Sequence, residues 1–302
     1  MKLTSGGHEI DTHPENFGWL KDSNDALNDV VELRRRMDED GYLFLPGFFD
    51  REDVRAVRKG ICEALAADGL LDPKREIEEG IAREGIELYF RPDIANTPPV
   101  RPALNRVIYG PKIMGFYSDF LGGEATHYDY TWLRAIAPGR GTYPHCDVIY
   151  MGRGTHNLYT AWVPFGDVPL EVGGLVVMEG SQKDAELRGG YCHLDVDTAC
   201  VNRNQVNQLR NLGFEEGGAI TLDPTALREK LRCRLLTAQE YRMGDLLTFS
   251  VFTVHGSLDN QSRQIRISSD SRYQLASEPL DERWIGENPP AHGGKMIKDT
   301  IC

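Results

Sequence analysis

Through the first third of the chain, apolar positions recur every three or four residues. Val54, Val57, Ile61, Ala64 and Leu65 follow Asp50, a capping residue, and Ile113, Met114, Tyr117, Phe120 and Leu121 share one face between Pro111 and Gly122-Gly123. The spacing predicts two amphipathic helices, with Gly41-Tyr42-Leu43-Phe44-Leu45 as a short strand ahead of the first. Beyond Gly123 the helical period disappears. Short β-like runs replace it at 126–136, 159–165, 174–178, 245–250 and 264–268, broken by Ala137-Pro138-Gly139 and Gly173-Gly174. That punctuation suits an antiparallel sandwich or jelly roll rather than alternating βα units. The predicted architecture is mainly β with flanking helices. It forms a single domain over 1–302, with a helical part at about 20–122 and a β core at about 123–275. A polar stretch at about 183–236, helix-like from Pro224 to Leu231, reads as an insertion between core strands and is expected to act as a mobile lid.

Composition narrows the class. The 302 residues are 40% hydrophobic and 26% charged, enough for a substantial core, and no low-complexity linker divides them. A net charge of −12 without a basic run argues against nucleic acid or an anionic membrane as partner and favours a small-molecule substrate. There is no apolar run of membrane-spanning length, and Met1 to His8 lacks a signal-like stretch, which leaves the cytoplasm as the expected location. Six scattered cysteines without a Cys-x-x-Cys pair read as reduced thiols.

The chemistry concentrates in His145-Cys146-Asp147 and, far downstream, His255. Two histidines and a carboxylate, split as a close pair and a distant partner, make the set that holds Fe(II) on one face and leaves the opposite positions open. His-x-Asp occurs three times, so context must choose among the copies. His145 follows a strand and a turn and can sit at a strand end. His127, with Asp129, lies within the preceding strand, and His193, with Asp195, lies in the polar insertion. Strand alternation points Cys146 away from its neighbours, and His8, His13, His156 and His292 read as surface histidines. Within Gln264 to Ser268, Arg266 and Ser268 share the face opposite Ile265 and Ile267. A guanidinium with a hydroxyl beside it can grip a carboxylate.

In order along the chain, Gly41 to Gly47, His145-Cys146-Asp147, Trp162 to Val168, Gly173 to Ser181, and His255-Gly256-Ser257 with Arg266 resemble the phytanoyl-CoA dioxygenase family over roughly residues 30 to 275. The resemblance implies a double-stranded β-helix, Fe(II), 2-oxoglutarate and O₂ as cofactor and co-substrates, and hydroxylation of an unactivated carbon. His145, Asp147 and His255 would be the metal ligands and catalytic centre, and Arg266 with Ser268 would hold the distal carboxylate. Trp162 would either approach the co-substrate or pack in the core. Two departures stand out: Gln182, where the family often has His, and the 183–236 insertion.

Three protein ligands leave three positions on a six-coordinate iron, two for a 2-oxo acid and one for O₂. Asp147, present where related halogenases carry a small residue, favours hydroxylation over halogenation. Tyr143, Tyr150, Met151, Arg153, Asn157 and Tyr159 flank the metal pair and are candidate substrate contacts. Arg272 is either such a contact or an outer ion pair, and Arg263 reads as a solvated charge. The competing readings are a cupin-type metal-dependent hydrolase or isomerase, which would not need Arg266, and a non-catalytic binding module with a relic site. Gly-x-Ser-x-Gly, Gly-x-Gly-x-x-Gly and Gly-x-x-x-x-Gly-Lys are all absent, which disfavours serine hydrolases, dinucleotide enzymes and P-loop enzymes.

Overall fold

A computed structural model describes residues 2–197 and 218–292. Two sheets face one another. The major sheet runs in the order Tyr42–Leu45, Leu246–Ser250, Tyr159–Pro164, Arg266–Leu275, Ala125–His127, with Trp132–Ile136 also paired to Arg266–Leu275. The minor sheet runs His255–Ser257, Leu175–Met178, Leu235–Thr237, Phe17–Trp19. This is the jelly-roll core that the sequence pattern predicts.

Alternation decides what each strand contributes. Leu43, Leu45, Ala161, Val163, Leu133, Ala135, Ile267 and Tyr273 point outward. There they pack under the helices Val30–Asp40, Arg51–Ala67, Arg101–Ile108 and Pro111–Leu121 through Leu33, Val57, Ile61, Leu104, Ile108 and Tyr117. Tyr42, Phe44, Trp162, Leu247 and Phe249 point inward and meet Leu175, Val177 and Leu236 of the minor sheet. Asp50 caps its helix by accepting hydrogen bonds from the backbone N–H groups of Glu52 and Asp53. Gly41, at a φ of 83°, closes the first helix in the left-handed conformation and releases the chain directly into the edge strand.

Two boundaries differ from expectation. The short strand expected at 41–45 forms and joins the major sheet as its edge, so the β core reaches back beyond its expected start at 123, and the insertion's expected end at 236 falls inside the strand Leu235–Thr237. The middle of the expected lid, 198–217, lies outside the described residues. Both its described flanks are seated near the metal motif: the Tyr191 hydroxyl donates to the Gly218 carbonyl, and the Ile220 N–H donates to the Pro144 carbonyl at 2.8 Å. Among the described residues no helix is long and apolar enough to cross a membrane.

Candidate metal centre

Backbone pairing solves the problem of distance along the chain. His145 forms an antiparallel bridge with His255, its N–H donating to the His255 carbonyl at 2.9 Å and receiving the reciprocal bond at 3.0 Å. One histidine on the pre-strand loop and one on the edge of the minor sheet are thereby locked side by side, with ring centroids 4.2 Å apart. Asp147 follows two residues on, its Oδ1 lying 3.7 Å from each Nε2. Ser181, from the Gly-Ser pair, braces the far side by accepting from the Val254 N–H at 2.9 Å. Among the described residues this is the one group of three His, Cys, Asp or Glu whose ligand atoms converge, all within 4.8 Å.

Hydrogen bonds select which atoms face the metal position. Nδ1 of His145 lies 2.8 Å from the Tyr143 carbonyl and Nδ1 of His255 lies 3.0 Å from the Thr253 carbonyl, so each Nδ1–H donates and each Nε2 keeps its lone pair. The Oδ2 of Asp147 accepts from the Thr160 hydroxyl and, at 2.8 Å, from Nη2 of Arg272, leaving Oδ1 for a cation. Burial pushes His145 down to about 3, helped by His255, and burial likewise lowers His255, so both imidazoles stay neutral. Burial alone would raise the Asp147 carboxyl, but the Arg272 guanidinium, with the hydrogen bond from Thr160, holds it well below the usual carboxylate range. Neutral imidazoles beside an ionised carboxylate are the donor set that Fe(II) takes.

Arg272 is thus an ion-pair partner of the ligand Asp147, and it also lines the cavity described below, with its guanidinium 4.2 Å above the Trp132 ring. Arg272→Met is expected to weaken Fe(II) affinity by about 10- to 100-fold, as loss of a ligand's supporting partner generally does, measured by anaerobic calorimetry. Unchanged affinity would show that Thr160 alone orients Asp147.

The Arg266–Leu275 strand carries a second set of polar groups into the barrel. Arg266 is 1% exposed and donates one Nη1–H to the Gly173 carbonyl, while among the described residues its Nε and Nη2 have no partner, and neither has the Ser268 hydroxyl beside it. Gly173 sits at a φ of 80° and its α-carbon lies against the Leu258–Asn260 backbone, where a Cβ would meet the Leu258 carbonyl at 2.6 Å. Only glycine fits that turn. Two buried N–H donors and a hydroxyl without acceptors are costly unless a ligand supplies oxygen atoms. The distal carboxylate of 2-oxoglutarate fits that need, and Arg266 could hold it bidentately. Trp162 is fully buried edge-on to Tyr241, with its indole N–H unpartnered among the described residues, so it packs in the inter-sheet core and still offers a donor there. Arg263 is 70% exposed and pairs with Asp72 at 3.2 Å, as expected of a solvated charge.

A cavity of about 390 Å³ opens onto His145 and Asp147. Of the candidate substrate contacts, Tyr143, Tyr150, Met151 and Arg272 line it. Three expected contacts do not. Arg153 turns outward to Asp195 and Asp197. Asn157 bonds to Glu278, and Tyr159 packs against Phe120, because alternation turns Thr160 and Trp162 inward and Tyr159 toward the helices. Sequence reasoning missed Tyr89, Phe90, Trp132, Arg134, Thr142 and Ala219 in the wall. It also missed His292, expected on the surface but lining the cavity with its Nδ1 2.7 Å from Asp197. Alternation within Trp132–Ile136 could have flagged Trp132 and Arg134, whereas His292 left no local signal.

The other candidates fall away. His127 stacks on Tyr109 at 3.7 Å, Asp195 serves Arg153, and Cys146 donates to the Phe252 carbonyl, away from both ligands. Gln182 donates to the Asp38 carbonyl at 2.7 Å, outside the metal position.

Jelly roll, 2-His-1-carboxylate triad and buried guanidinium together define a non-haem Fe(II)- and 2-oxoglutarate-dependent oxygenase. Residues 37–268 match phytanoyl-CoA dioxygenase (PhyH), and the chain belongs to that family. It is 28% identical over 267 residues to 1-deoxypentalenic acid 11-beta-hydroxylase of Streptomyces exfoliatus, covering 85% of each chain. Against the enzyme of the same name from Streptomyces arenae it is 27% identical over 274 residues, covering 87% of each. Among solved structures, EctD from S. alaskensis with 2-oxoglutarate and 5-hydroxyectoine aligns at a TM-score of 0.53, with 19% identity over 93% of this chain and 89% of that one. The non-heme alpha ketoglutarate dependent carbocyclase SnoK from nogalamycin biosynthesis aligns at 0.56, with 18% identity over 87% and 89%. The hydrolase and relic-module readings are thereby set aside in favour of a dioxygenase.

Proposed function

We propose that this enzyme hydroxylates a C–H bond of a small, largely apolar molecule. His145, Asp147 and His255 would hold the iron, and Arg266, Ser268 and Trp162 would hold 2-oxoglutarate. The observation that carries the reading is the pairing of three free ligand atoms with two partnerless N–H groups of Arg266 in one buried interior. When bound, iron and 2-oxoglutarate supply the oxidising chemistry with O₂. The chain's own residues do the rest. Tyr143 and Thr253 carbonyls fix the imidazoles, Thr160 and Arg272 fix Asp147, and Phe90, Trp132 and Met151 present an apolar wall that excludes water from the reacting face. The names of the Streptomyces relatives support a small-molecule substrate. Four unpaired cysteines, Cys62, Cys146, Cys192 and Cys233, support a reducing compartment such as the cytoplasm. The deciding experiment is anaerobic addition of Fe(II) and 2-oxoglutarate, which should give a visible metal-to-ligand charge-transfer band, followed by substrate screening under O₂. Absence of the band with both ligands at millimolar concentration would overturn the reading.

We also infer that the flanks of the 183–236 excursion shape substrate selectivity, since Ala219 reaches the cavity wall. Ala219→Phe should lower kcat/KM for the preferred substrate by roughly 10- to 200-fold, the usual effect of filling a shaped pocket, while leaving the charge-transfer band intact. An unaltered kcat/KM would place selectivity in the Tyr143 to Met151 stretch instead.

A further inference from the structure

The barrel interior holds more positive charge than iron and 2-oxoglutarate account for. Among the described residues, the inner faces of Trp132–Ile136 and Arg266–Leu275 and the metal loop carry three buried or nearly buried guanidinium groups, Arg134, Arg266 and Arg272, against two carboxylates, Asp147 and Asp270. Asp147 neutralises Arg272 and Asp270 neutralises Arg134, leaving Arg266 without a counter-ion. A divalent iron raises the surplus to three charges and dianionic 2-oxoglutarate lowers it to one. An interior shielded from water does not hold a residual charge cheaply.

Arg134 shows where that charge is presented. Its Nε donates to Asp270 Oδ2, which fixes the plane of the guanidinium, and Nη1 makes only a long contact of 3.4 Å to the Tyr89 hydroxyl. Among the described residues Nη2 makes no hydrogen bond, and the side chain forms part of the cavity wall together with His145 and Asp147. The rest of that wall is mostly aromatic, with Tyr89, Phe90, Trp132 and Tyr143. Resting on the oxygenase reading above, we propose that Arg134, oriented by Asp270, is the anchor for a single anionic group on an otherwise apolar substrate, a monocarboxylate whose hydrocarbon body lies against the aromatic wall and projects toward the metal position. A guanidinium with one edge committed and the other open meets a carboxylate with charge-assisted hydrogen bonds and leaves the hydrocarbon to the rings.

The test uses the enzyme loaded with Fe(II) and 2-oxoglutarate under argon, with adamantane-1-carboxylate and adamantane-1-carboxamide as probes of matched shape. Calorimetry should show the carboxylate binding about 10- to 100-fold more tightly, the range expected for a charge-assisted contact. Arg134→Met should bring the two affinities together through loss of carboxylate binding, with carboxamide affinity and half-saturation of the charge-transfer band by 2-oxoglutarate essentially unchanged. An Arg134→Gln, Asp270→Asn double variant, which strands no buried charge, makes the same comparison if the single variant does not fold. Failure of the band to form in the wild type would overturn the oxygenase reading. Normal band formation with equal affinity for the two probes would overturn the anchor alone. So would a variant that keeps carboxylate preference but loses 2-oxoglutarate affinity, which would assign Arg134 to the co-substrate.

Discussion

His255→Ala is expected to abolish specific Fe(II) binding and turnover while leaving the fold in place. His255 belongs to a three-residue strand whose hold on His145 and on the Leu175–Met178 strand runs through backbone groups, none of which the substitution removes. What disappears is one of three convergent ligand atoms. Loss of a mere supporting partner already costs about 10- to 100-fold in metal affinity, so loss of a ligand should exceed about 100-fold. Calorimetry with Fe(II) and the charge-transfer band read the loss directly, and the far-ultraviolet circular dichroism spectrum should be unchanged. Asp147→Ala should behave alike in metal binding but be less stable, because it strands the buried Arg272. Undiminished iron binding in His255→Ala would overturn the triad.

The metal centre was legible because its residue types and order carry the chemistry. The helices were legible because Asp50, Pro111 and Gly122 mark their ends. The strand Arg266–Leu275 was read only as far as Ser268, since the run Ser268-Ser269-Asp270-Ser271-Arg272 has no apolar alternation to report burial. Its polar residues are buried by pairing with strands on both sides and by a ligand-binding interior, neither of which local sequence expresses. The same cause hid Asp270, whereas Arg134 lies in an alternating strand and was legible in principle. His292 was hidden because it arrives from a distant, Gly/Pro-rich stretch. Tyr159 was misplaced by nearness in sequence: residues next to a ligand in the chain alternate between cavity and helix layer once they enter a strand.

Arg266→Met should separate stability from function in opposite directions. In the unliganded protein Arg266 is a buried cation with no counter-ion among the described residues, and burial together with Arg134 pushes its pKa down to about 10. Exchanging such a group for an apolar side chain of similar length is commonly neutral or stabilising, so the unliganded Tm should hold or rise. The cost should fall on the co-substrate. Loss of charge-assisted hydrogen bonds worth about 1.5 to 3 kcal/mol should raise the half-saturating 2-oxoglutarate concentration roughly 10- to 150-fold, read from the charge-transfer band under argon. Ligand-induced stabilisation tests the same point without turnover. A saturating ligand at a hundredfold excess over Kd adds about 2.7 kcal/mol, and a variant whose Kd has risen a hundredfold retains only about 0.4 kcal/mol at the same concentration, so the upward Tm shift on adding 2-oxoglutarate should nearly vanish. Arg266→Lys should recover only part of the affinity, since an ammonium cannot reproduce the planar two-donor grip. Arg263→Ala, which loses only an exposed contact to Asp72, should leave all three measurements unchanged. If Arg266→Met lowered the unliganded Tm and left 2-oxoglutarate affinity intact, the guanidinium would be a structural brace for the Gly173 turn, and the carboxylate would have to be held by Arg134 or Arg272.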